Sequence, residues 1–139
     1  MRTVSSDGCH QALAQIEHIA LVTVDLDGLC DFYRLLGAVA SPPSRASETG
    51  RRSCTLDFCG IRLEVFERRS SGGDVEGGGP SPGLLHLGFA LGSADAVDEL
   101  SGVLAAIGHR VLEPPRRGEL GRYESVVLDP DGNRLKLTV

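Results

Sequence analysis

Four residues far apart in the chain, His18, Glu64, His86 and Lys136, hold equivalent places in an internal repeat. Imidazole and carboxylate groups coordinate cations or move protons, while a lysine ammonium anchors anions or, with a shifted pKa, acts as a base. His18 precedes the helix-stopping Gly37 by 19 residues and His86 precedes Gly108 by 22; Glu64 and Lys136 each follow a hairpin glycine, Gly60 or Gly132, by four. If the halves pack about a pseudo-twofold axis, all four converge. Lys136 is the only lysine among 14 basic residues, so a position needing positive charge alone would be expected to carry Arg, and a compact ammonium points to a base or a confined anion anchor. A Glu-to-Lys codon change at a drifting position is the competing explanation.

The elements that must position these residues repeat in order. Ile16–Val24 reads as a strand, Asp25 or Asp27 as a helix cap, and Leu26–Leu36 as a helix with Leu29, Phe32, Leu35 and Leu36 on one face, stopped at Gly37. After Pro42-Pro43, Arg51–Phe58 and Ile61–Arg68 form a hairpin through Cys59-Gly60. Ser70–Gly83 has no apolar periodicity and reads as a linker. Leu84–Leu91 is the next strand, Ser93 caps a helix through Ile107 that ends at Gly108, and Arg110–Leu112, Tyr123–Leu128 and Arg134–Val139 follow, the last two joined by the turn DPDGN. The prediction is one α+β domain: a tail over 1–15, a βαβββ module over 16–69, the linker over 70–83 and a second βαβββ module over 84–139. Strand alternation puts Ile61, Leu63 and Val65 opposite Arg62 and Glu64, and Leu135, Leu137 and Val139 opposite Arg134, Lys136 and Thr138.

Composition narrows the partners. With 139 residues, 41% hydrophobic and 24% charged, the chain is of ordinary globular type and one domain in size. A net charge of −5, with no more than two basic residues in succession, argues against nucleic acid or an anionic membrane as partner, and no apolar run is long enough to span a bilayer. Met1–Gln15 lacks the apolar stretch of a signal peptide, so the expected location is cytoplasmic. The four cysteines, at 9, 30, 54 and 59, form no CxxC pair and read as reduced residues, buried or in turns. His10 and His109 are expected to be exposed.

The segments IEHIALVTVDLDGLCDFYRLLG, GIRLEVFE, LLHLGFAL and YESVVLDPDGNRLKLTV, spread over Ile16–Val139, resemble the vicinal oxygen chelate superfamily, to which glyoxalase I, fosfomycin-resistance enzymes, extradiol dioxygenases and bleomycin-binding proteins belong. The resemblance implies paired βαβββ modules in a half-open, mostly antiparallel, barrel-like sheet with helices outside, holding a divalent metal chelated by substrate oxygens. It places ligands on the first and last strand of each half. His18, Glu64 and His86 match that pattern; Lys136 stands where the family commonly has Glu and has no lone pair to offer. Two His and one carboxylate remain a competent set for Zn, Ni, Mn or Fe. The alternative is loss of the metal, with a Glu64–Lys136 ion pair in its place. The resemblance thus implies a glyoxalase-like, metal-dependent lyase or isomerase acting on a small substrate with vicinal oxygens. Lys136 or Glu124 would move the proton, and Arg62, Arg134 and Tyr123 would contact the substrate. The alternative is a metal-free small-molecule binding protein of bleomycin-resistance type; a dioxygenase is a weaker third reading. Family members commonly dimerise, so a homodimer is expected, with the modules paired within one chain or swapped between two.

Overall fold

The computed structural model describes residues 16–68, 84–118 and 120–139. The expected tail over 1–15 with His10 and Cys9, and the linker over 70–83, lie outside the described residues. The chain runs β1 (His18–Thr23), α1 (Leu26–Leu35), β2 (Val39–Ala40), β3 (Ser44–Arg45), β4 (Arg52–Phe58), β5 (Ile61–Glu67), β6 (Leu87–Ala90), α2 (Ala94–Ala106), β7 (Val111–Arg117), β8 (Tyr123–Leu128) and β9 (Arg134–Thr138). It is an α+β fold of two curved sheets without a closed barrel.

Both helices begin and end as side-chain chemistry dictates. Asp25 accepts from the Gly28 amide and Ser93 from the Ala96 amide, satisfying amides that have no partner within the helix. Gly37 and Gly108 take the left-handed conformation just beyond the helix ends, at φ +97° and +95°, where a side chain would be strained. The buried stripe of α1 is Leu26, Leu29, Cys30, Phe32 and Tyr33, and that of α2 is Val97, Ser101 and Leu104.

Each sheet has one topology. Sheet order is β1-β5-β4-β2, with β3 also on β4, and β6-β9-β8-β7. In each, the first strand lies parallel to the last, β1 on β5 and β6 on β9, and the other pairings are antiparallel. A helical crossover is what a parallel pairing requires.

Several sequence expectations are corrected in detail. The strand foreseen over Leu84–Leu91 is only Leu87–Ala90, so His86 lies just before it. The strand foreseen over Arg110–Leu112 instead runs Val111–Arg117, and Pro114-Pro115 are tolerated because β7 is an edge strand with register shifts. Pro42-Pro43 divide the remaining strand of the first half into the short β2 and β3. His109 is half-buried, its ring edge-on to Phe32 at 4.7 Å.

The two halves share one core. Leu56, Leu63 and Val65 of the first join Val127, Leu135 and Leu137 of the second in a continuous buried cluster. Phe58 meets Phe89 edge-on at 5.2 Å. The Tyr33 hydroxyl donates to Asp129 Oδ2 at 2.8 Å, and Asp129 also accepts from the Asp131 and Asn133 amides and the Asn133 side chain. The DPDGN turn is therefore both a hairpin connection and a tie between halves. The helix-facing sides of both sheets are consumed in this way, leaving the opposite faces open.

Candidate functional site

The register decides which residues share the open faces. On the first sheet, His18 pairs with Arg62, Ala20 with Glu64 and Val22 with Phe66, and Glu64 lies beside Thr55 of β4. Because side chains alternate, His18 and Glu64 emerge on the same side, and His18 Nε2 lies 3.0 Å from Glu64 Oε2. Both are about one-third exposed, at 39% and 32%. Nδ1 of the same ring faces Glu17 Oε1 at 3.4 Å. A carboxylate on one ring nitrogen orients the imidazole and leaves the other to a ligand role. Arg62 is exposed on this face and reaches Glu17 at 3.9 Å.

The second sheet presents Gly88 and Ala90 of β6, Arg134, Lys136 and Thr138 of β9, and Glu124 and Val126 of β8 on its open face. Lys136 Nζ lies 3.5 Å from Glu124 Oε1, with side chains 30% and 12% exposed. Gly118 lets this carboxylate in: a Cβ there would collide with Glu124 Oε1. Arg134 is exposed at the start of β9.

Within one chain the expected quartet does not converge but divides over three places. His18 and Glu64 are brought together, and Lys136 pairs with Glu124. The Glu64–Lys136 ion pair expected of a metal-free site is not formed, because each partner is engaged elsewhere on its own sheet. His86 lines a separate, mainly apolar cavity of about 640 Å³ with Ile19, Phe58, Leu63, Phe89 and Leu91, where the edge strands of the two sheets approach. No group of three His, Cys, Asp or Glu side chains placed to share a metal occurs among the described residues. Tyr123 turns to the helix side, where its hydroxyl donates to Asp98 of α2, and that carboxylate holds the phenol above its ordinary pKa. Its strand neighbour Ser125 shares a 2.6 Å hydrogen bond with Ser101 of the same helix.

Sequence reasoning missed Glu17, Gly118 and the Lys136–Glu124 pairing. The β8–β9 register would have found the last, since Val126 faces Lys136 and Glu124 faces Thr138, one diagonal step away on the same face. Among the described residues no helix is long and apolar enough to cross a membrane.

Comparisons with known proteins agree with this architecture. Residues 15–137 match the family model described as Glyoxalase/Bleomycin resistance protein/Dioxygenase superfamily. A glyoxylase/bleomycin resistance protein/dioxygenase domain from Frankia sp. EAN1pec is 25% identical at TM-score 0.71, covering 91% of this chain and 92% of that one. Lactoylglutathione lyase from Agrobacterium tumefaciens is 25% identical at TM-score 0.62, covering 90% and 92%. A fosfomycin resistance protein from Listeria monocytogenes, complexed with Mn(II) and 1S,2S-dihydroxypropylphosphonic acid, shares the fold at 19% identity and TM-score 0.69, covering 91% and 93%. No curated protein matches the chain.

Proposed function

Because the chain belongs to the Glyoxalase/Bleomycin resistance protein/Dioxygenase superfamily, we propose that it is a glyoxalase-like enzyme of lyase or isomerase type whose small substrate carries vicinal oxygens. In this reading His18, Glu64 and His86 hold a divalent cation. The observation that supports it most directly is the 3.0 Å separation of His18 Nε2 and Glu64 Oε2. The contact sets an imidazole nitrogen beside a carboxylate oxygen on one open face, a donor pair that would suit a divalent cation. Zinc, nickel, iron and manganese, the last present in the fosfomycin resistance protein, all accept imidazole and carboxylate. Such a cation, when bound, polarises substrate oxygens and stabilises developing negative charge.

The chain's own groups carry the remaining roles. Glu124 and Lys136 are held as a carboxylate–ammonium pair on the second open face, and either moves a proton as the other balances its charge. Arg62 and Arg134 offer guanidinium forks to an anionic substituent of the substrate. Tyr123 acts here only through its contact with α2. Since one chain keeps His86 away from Glu64, the reading includes a homodimer in which the second sheet of one copy covers the first sheet of the other. Val22, 53% exposed on the same face of β1 as His18, is apolar surface such a contact would cover.

Metal content of untagged protein, counted per chain by elemental mass spectrometry, tests the proposal. About one divalent ion per chain, lost in His18→Ala and in Glu64→Gln without loss of the fold, is the expected result. A second reading, a metal-free binding protein, is favoured by the engagement of Lys136 with Glu124 where the family commonly has a ligand. It would be preferred if the protein held no metal and added divalent cations raised its melting temperature by nothing measurable.

A further inference from the structure

The end of the first sheet opposite to His18 carries a concentration of positive charge unusual in a chain of net charge −5. A cleft of about 640 Å³ there is lined by Arg45, Thr49, Arg51, Arg52, Glu67 and Arg68, among others. Four guanidinium groups face a single carboxylate. Arg52 is satisfied: it donates to Asp27 Oδ1 at 2.8 Å and lies 3.5 Å from Glu67 Oε2. The others are not ion-paired among the described residues. Arg45 donates to the Gly50 carbonyl at 2.7 Å, and the Arg51 guanidinium lies over the Phe66 ring at 4.7 Å. Arg68 is close enough to Asp131 to favour ionisation of a carboxyl that burial pushes up, yet no ion pair forms.

The register sharpens the imbalance. Arg45 of β3 stands directly opposite Arg52 of β4, and like charges directly across an antiparallel pair destabilise it. The local turn nevertheless holds them there: the Gly50 amide bonds back to Ala46, and the Arg51 amide to Thr49 Oγ1. Two of the arginines are thereby pre-oriented, one by a carbonyl and one by an aromatic face, which reduces the ordering a bound anion must enforce.

We propose that this cleft is a binding site for a phosphate group of a small soluble molecule, with Arg45, Arg51 and Arg68 as its anchors. Arginine forks match phosphate oxygens bidentately, and an excess of three positive charges in the lining favours a multiply charged anion over a monocarboxylate. The site is separate from the His18–Glu64 pair: Arg68 lies just past the end of β5, four residues beyond Glu64, about 13 Å at strand spacing. It does not depend on metal binding or on the proposed reaction.

Isothermal titration of the untagged full chain with pyrophosphate, inorganic phosphate, glycerol phosphate and acetate at fixed ionic strength tests the site. Saturable binding is expected, with pyrophosphate tightest and acetate weakest. Arg45→Gln and Arg68→Gln should each weaken phosphate binding by about tenfold or more, and His18→Ala should leave it unchanged. Arg45→Lys and Arg68→Lys, which keep the charge but lose the fork, serve if the glutamine variants fail to fold, and should show intermediate affinity. Absence of saturable binding by the native chain would overturn the proposal, as would equal affinity in the arginine variants or loss of binding in His18→Ala.

Discussion

A side chain's environment here decides its reactivity more than its identity does. Three cysteines lie among the described residues, two of them buried. The Cys30 thiol is pushed up to about 12, first by burial and then by its hydrogen bond with Cys54, whereas Cys59 is exposed in the hairpin turn at φ +50°. Alkylation by iodoacetamide followed by peptide mass spectrometry at neutral pH should therefore modify Cys59 at least about tenfold faster than Cys30, because the thiolate is the nucleophile. Gly118 is a second case. Gly118→Ala should swing the Glu124 carboxylate away from Lys136 while changing the melting temperature by only a few degrees, since the obstructed atoms end a flexible side chain. With a single lysine in the chain, one resonance of ¹³C-methylated Lys136, distinct from the α-amino signal, reports that movement. The equivalence of His18 with His86 and of Glu64 with Lys136 was legible from the repeat, because β1 pairs with β5 in the same register as β6 with β9. Their partners were not, because a 3 Å contact depends on sheet curvature and on which diagonal neighbour a long side chain chooses.

Elements were read from sequence where local signals agree. The Asp25 and Ser93 caps, the Cys59-Gly60 hairpin and the β8–β9 hairpin follow from turn and capping chemistry, and all stand in the structure. Beyond the prolines, propensity misled: β7 continues through Pro114-Pro115 because an edge strand has one side free of hydrogen-bonding demands. The tie from α1 to the β8–β9 turn left no local signal at all. Tyr33→Phe removes one hydrogen bond to a buried carboxylate that keeps its other donors, and should cost about 1.5–3 kcal/mol by urea unfolding. The same tie sets an alkaline limit. Burial, then the Asp129 charge, raises the Tyr33 phenol above its ordinary 10, and Cys30 rises from 9.0 to about 12. Both groups bind protons more tightly folded than unfolded, so their stabilisation is complete below about pH 9 and is lost as pH rises through the folded values. Urea midpoints should fall from pH 9 upward, and Tyr33→Phe should blunt the fall above pH 10.

At the scale of the whole molecule, one core joins the two sheets and leaves one face of each open. If the homodimer brings His86 of one copy to the His18–Glu64 pair of another, two defective variants should complement. His18→Ala and His86→Ala, each metal-free alone, would regain about a quarter of an ion per chain after mixing, unfolding and refolding, since half the dimers are mixed and each has one intact site. No recovery would place the third ligand within the chain or remove it. The topology also sets an order of assembly. The parallel closure of β1 on β5 lies wholly within the first half, so a growing chain can complete that sheet once Glu67 has emerged. The Tyr33–Asp129 bond must wait for the final hairpin. Until then the first sheet's helix-facing side, with Leu56 and Leu63, lacks the partners it has in the finished core, and synthesis that stalls before residue 129 should leave a nascent chain prone to aggregate or to recruit chaperones.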